Sequence, residues 1–151
     1  MWQIYGITTW EKIMRTVAMT PEAVAELAQA LPAGEPVTML NLLRFRDTAQ
    51  YDAEELPTCT GREAYYQRYV PVVAEMFMAR GGKVIWTGRA AGHTICPPDE
   101  RWDDILIVEY PDAATVAAMF NEPAYQTVAK HRTAALVDSR LIPMRAEGIE
   151  L

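Results

Sequence analysis

His131 and Arg132 stand together, and Asp138-Ser139 follows shortly after. Those four side chains suffice for proton transfer on an anionic substrate. His131 would accept a proton near neutral pH, with Asp138 orienting the ring as its catalytic partner. Arg132 would clamp a carboxylate through charge-assisted hydrogen bonds, with Ser139 beside it. A plainer reading is electrostatic: both cations close a helix, where the dipole favours them, and Arg132 pairs with Asp138 or Glu109. Arg132 shares a helical stripe with Tyr125 and Val128, so it is expected to point inward.

Other candidates lie earlier in the chain. Asn41 falls in an apolar strand on the face of Met39 and Leu43, where a buried amide must find hydrogen bonds or orient a ligand. Arg44 shares the opposite face with Leu40 and Leu42, so it reaches a cleft mouth or a subunit seam. Arg46, beside Asp47, reads as half of a surface ion pair. Tyr65, Tyr69 and Trp86 can wall a flat ligand or simply fill a core. No GxSxG, HExxH, P-loop or GxGxxG signature occurs. With only two histidines, in different elements, no metal site and no cofactor is expected.

These residues need elements to hold them. Thr20-Pro21-Glu22 is a helix start, and Val24, Leu27 and Leu31 follow at helical spacing until Pro32-Ala33-Gly34. Val37 to Phe45 is a strand on propensity. Thr60-x-x-Glu63 is a capping box, opening a helix that carries Tyr65, Tyr69, Val72, Val73 and Met76; Pro71 should kink or restart it, and Gly81-Gly82 ends it. Lys83 to Thr87 is a second strand, able to run on to Ile95 with a bulge, and Asp104 to Tyr110 a third. Asp112 caps a short helix, Asn121-Glu122-Pro123 opens another through Arg132, and Ser139 to Met144 is the last strand. From residue 37 the order is β-α-β-β-α-β, an α+β ferredoxin-like arrangement with a four-stranded antiparallel sheet. Residues 1–18 read as an N-terminal extension, with Trp2, Tyr5 and Trp10 packing on the domain or a partner, and 19–151 as one domain. An extra helix thus precedes the core motif.

Composition limits the partners. A formal charge of −6 with scattered basic residues excludes a nucleic-acid or anionic-membrane surface. Two cysteines, Cys59 and Cys96, make no disulfide framework, and the chain lacks a signal peptide or a run able to span a bilayer, so a cytoplasmic setting is expected. The first strand is apolar on both alternating faces. A sheet with helices on one side would then leave an apolar face bare, and a second copy of the chain is the natural cover.

Several segments together resemble the family called domain of unknown function 1330, within the dimeric α/β-barrel superfamily. They are Val37-Thr-Met-Leu-Asn-Leu-Leu-Arg-Phe-Arg46, Gly61-Arg-Glu-Ala-Tyr65, Gly81-Gly-Lys-Val-Ile-Trp86, Trp102-Asp-Asp-Ile-Leu-Ile-Val-Glu-Tyr-Pro111, Pro123-Ala-Tyr125 and His131-Arg-Thr-Ala-Ala-Leu-Val-Asp-Ser-Arg140. The resemblance covers about residues 20–144 and implies a ferredoxin-like fold and a homodimer. It brings no activity, since the superfamily mixes cofactor-free monooxygenases, isomerases, haem enzymes and binding proteins. The leading expectation is a dimer binding a small organic molecule between sheet and helices, with a carboxylate-bearing ligand among the candidates. The alternatives are a cofactor-independent monooxygenase-like or isomerase-like enzyme using His131, Asp138 and Arg132, and a structural or interaction dimer without ligand.

Overall fold

The computed structural model describes residues 15–53 and 56–149; the expectation for Trp2, Tyr5 and Trp10 lies outside the described residues. Thr20 caps α1 (Pro21–Ala30), its hydroxyl accepting from the Ala23 N–H at 3.1 Å. The helix buries Val24 and Leu27 and packs on α4 (Ala113–Phe120).

The sheet order is β2 (Lys83–Arg89), β3 (Asp104–Tyr110), β1 (Val37–Phe45), β4 (Leu136–Met144), with every pairing antiparallel. The chain crosses from β1 to β2 through α2 (Gly61–Glu63), a π-helical segment (Ala64–Tyr69) and α3 (Val70–Ala79), and from β3 to β4 through α4 and α5 (Pro123–Ala135). That is the ferredoxin-like βαββαβ order, an α+β fold. Thr60 and Glu63 form the expected capping box. The π-helical turn, with Val70 N–H donating to Tyr65 C=O, falls immediately before Pro71. A widened turn absorbs the donor that proline lacks, and α3 restarts with Pro71 in its first turn. Gly81, at φ 81°, then closes the helix in a conformation that side chains disfavour.

The core lies between the helices and one face of the sheet, with Val37, Leu43, Val116, Met119 and Leu136 fully buried. Three boundaries differ from the sequence expectation. β2 stops at Arg89; one more ladder bond, Ala90 N–H to Asp103 C=O, follows it before a loop. The β2 bulge falls between Val84 and Trp86 rather than beyond Gly88. Helix α5 runs past Arg132 to Ala135, and β4 begins at Leu136. Thr16 lies along the outer edge of β4: Ser139 N–H donates to its carbonyl at 2.6 Å, and its hydroxyl donates to Ser139 C=O at 2.9 Å. An otherwise open strand edge is thereby partly covered.

Candidate functional site

A cavity of about 270 Å³ lies between the sheet and the helices. Its floor is Met39, Asn41, Leu106, Val108 and Leu141, alternate residues of three strands, which the register brings onto one face. Tyr65, Tyr69 and Val73 come down from the π-helical segment and α3, and Tyr125 and Arg132 from α5. Most of the wall is hydrocarbon or aromatic.

Arg132 is the charged group of this wall and is only 7% exposed. It donates to Val17 C=O and, at 3.2 Å, to Ser139 Oγ. Neither partner is charged, and among the described residues no carboxylate lies within ion-pair distance of Arg132. The expected partners Asp138 and Glu109 are thus replaced by neutral oxygens. Burial pushes the Tyr65 phenol up to about 12, with the neighbouring Arg132 charge pulling the other way. Tyr69 is raised as well, by burial and by Tyr125, whose hydroxyl lies 3.2 Å from its own. Both phenols therefore stay protonated at neutral pH. Asn41 reaches Met39 C=O and Leu106 C=O only at 3.5 and 3.4 Å, so its amide retains capacity for a ligand.

The structure brings Asn41, Tyr65, Tyr69 and Arg132 together and places Ser139 behind Arg132 as its support. It does not assemble the acid–base pair. Asp138 pairs in register with Arg44, on the sheet face opposite the helices, because neighbouring strand residues point to opposite sides. There its carboxylate takes Arg140 at 2.6 Å and the Thr16 N–H at 2.9 Å. His131 remains on α5, off the cavity wall, with Nδ1 at 2.7 Å from the Tyr51 hydroxyl. Burial, then the charges of Lys130 and Arg68, hold its pKa below the ordinary histidine value. Trp86 also leaves the proposed wall: the bulge after Val84 puts it in register with Ile107 on the outer face, 51% exposed. Arg44 lies on that outer face as well and donates to Asp99 C=O at 3.3 Å. Phe77, Tyr110, Met119 and Phe120 line the cavity without having been singled out; their only signal was large apolar size at core spacing. Among the described residues no group of three His, Cys, Asp or Glu side chains is placed to hold a metal.

The model of the family described as Domain of unknown function (DUF1330) matches residues 57–144. The chain belongs to the DUF1330 family. Two solved structures of one bacterial relative agree in sequence and shape. The RPA0582 protein of unknown function from Rhodopseudomonas palustris is 38% identical, with TM-score 0.78 over 89% of this chain and 99% of that one. Its methylated form is 36% identical, with TM-score 0.79 over 89% and 97%. The hydroxynitrile lyase from Passiflora edulis, 11% identical with TM-score 0.52 over 78% and 99%, shares the fold alone. No curated protein matches the chain.

Proposed function

We propose that the protein is a homodimeric binder of a small, largely apolar molecule bearing a carboxylate, held in the cavity between sheet and helices. The observation that carries this reading is Arg132, a buried guanidinium on an apolar wall with only uncharged partners among the described residues. A buried charge without a counter-charge is costly, and a ligand carboxylate would supply one. Tyr65 and Asn41 stand on the same wall as further hydrogen-bonding groups. The enzymatic alternative has less support, since His131 is partnered by Tyr51 and the cavity phenols are held protonated.

Titration calorimetry with medium-chain carboxylates and their neutral primary amides tests the reading. The carboxylates should bind more tightly, and Arg132→Ala should weaken them by about 1.5–3 kcal/mol, the worth of charge-assisted hydrogen bonds. Equal binding of acid and amide would overturn it.

A further inference from the structure

The apolar cavity has a polar annex. A groove of about 540 Å³ runs beside it, and Tyr66, Thr87 and Leu106 line both. The two spaces therefore meet along a common wall at the β2 side of the sheet. Exposure falls in the other direction: Thr87 and Val84 are exposed, whereas Arg132 and Tyr125 are buried. The β2 edge is thus the mouth of the cavity, and Arg132 its closed end.

The groove is built around Asp104. Arg62 grips that carboxylate with two hydrogen bonds, at 2.7 and 2.9 Å, and the Tyr66 hydroxyl adds a third at 2.5 Å. Burial alone would raise the Asp104 pKa, but those donors outweigh it and the net shift is downward. Asp104 is 5% exposed, while Arg62 is 35% and Arg89 75% exposed. Arg89 stands 4.0 Å from Asp104, beyond hydrogen-bond distance. Glu63, the other acid of the groove, is committed to the Thr60 cap. What the groove offers to solvent is therefore guanidinium, although the protein as a whole is acidic. The registers place Ser139, Leu43, Asp104 and Arg89 in one row across the sheet. Ser139, beside which Arg132 sits, and Arg89 are thus about 14 Å apart along the backbone at three strand spacings.

We infer that the groove is the outer half of the ligand site and that the ligand is an elongated molecule with two anionic ends. One end is bound by Arg132, the other by Arg89 and Arg62, with the apolar middle in the cavity. Volume agrees: the cavity alone falls just under the roughly 300–1,000 Å³ of small-molecule sites, and with the groove it lies inside that range. The inference rests on the carboxylate reading of Arg132, and its test separates the two.

Titration calorimetry would compare unbranched α,ω-dicarboxylates from six to twelve carbons with the monocarboxylates of equal length. Within the series, a dicarboxylate long enough to span the row should bind about fivefold more tightly than its monocarboxylate, as a partly exposed ion pair allows. That gain should fade as salt is raised. Arg89→Gln should abolish the gain and leave monocarboxylate affinity unchanged. If monocarboxylates bind with no gain at any length, the outer subsite is wrong and the Arg132 reading stands. If the gain survives Arg89→Gln, the second anion sits elsewhere and the inference falls. If neither series binds, both readings fall together.

Discussion

Residues one apart on a helix or strand look adjacent in a sequence and point apart in a fold. His131 and Arg132 divide in this way, one toward Tyr51 and the other into the cavity wall. Asp138 and Ser139 divide too, and strand alternation already forbade both from facing α5. Arg132 was legible because its stripe with Tyr125 and Val128 is a helical period. Its partners were not, because Val17 C=O comes from a segment distant in sequence. The His131–Tyr51 contact makes a pH prediction. A histidine whose folded pKa is depressed folds best when neutral. Its contribution is present above the ordinary value near 6.5 and is lost as pH falls through the lower folded value. Melting temperature should therefore drop more steeply between pH 7.5 and 5 in the native sequence than in His131→Gln. Parallel curves would mean that His131 does not take part. Tyr51→Phe should cost about 1 kcal/mol at neutral pH, the usual worth of one hydrogen bond.

At the scale of elements, order and type were readable throughout, since caps, apolar periods and glycine stops agree with one another. What escaped were the local departures from regularity. The bulge between Val84 and Trp86 reverses the face of everything after it, and no residue type there announces it. The π-helical segment was visible only as a warning at Pro71. Gly61 marks a tight junction: a Cβ there would lie 2.3 Å from Ala135 C=O and 2.5 Å from Arg46 C=O. Those are backbone atoms of the α5 end and the β1 end, which cannot step aside cheaply. Gly61→Ala should therefore destabilise by about 1–3 kcal/mol, as overpacking does, and chemical denaturation would measure it. The last residues before α1 also bind the sheet. Thr16 and Val17 hold the β4 edge and Arg132 through several hydrogen bonds. Removing residues 1–18 should lower stability by about 2–3 kcal/mol relative to removing 1–14, at about 1 kcal/mol per lost bond. Equal melts for the two truncations would show that the strap contributes nothing.

For the whole molecule, the helices cover one sheet face and the registers describe what is left on the other. Trp86 pairs with Ile107, Ile107 with Leu40, and Leu40 with Ile142. One apolar row thus crosses all four strands, with Trp86 51% and Ile142 44% exposed. The adjoining row adds Ile105 and Leu42. A contiguous apolar surface of this kind is rare on monomers, because water gains nothing from contact with it. Meeting an identical face about a two-fold axis would bury both at once, which is the closure that a self-complementary patch permits. Light scattering at micromolar concentration should therefore give twice the 17.0 kDa chain mass. Ile107→Lys places a charge in the centre of the row and should give a folded monomer, since Ile107 faces away from the core that holds the cavity. Ile107→Val, which keeps the surface apolar, should remain dimeric. The variant also separates assembly from binding: the proposed carboxylate site draws on one chain's residues, so the monomer should still bind. If the native protein scatters as a monomer, the outer face is covered in some other way and the homodimer must be given up, while the cavity and Arg132 stay where they are.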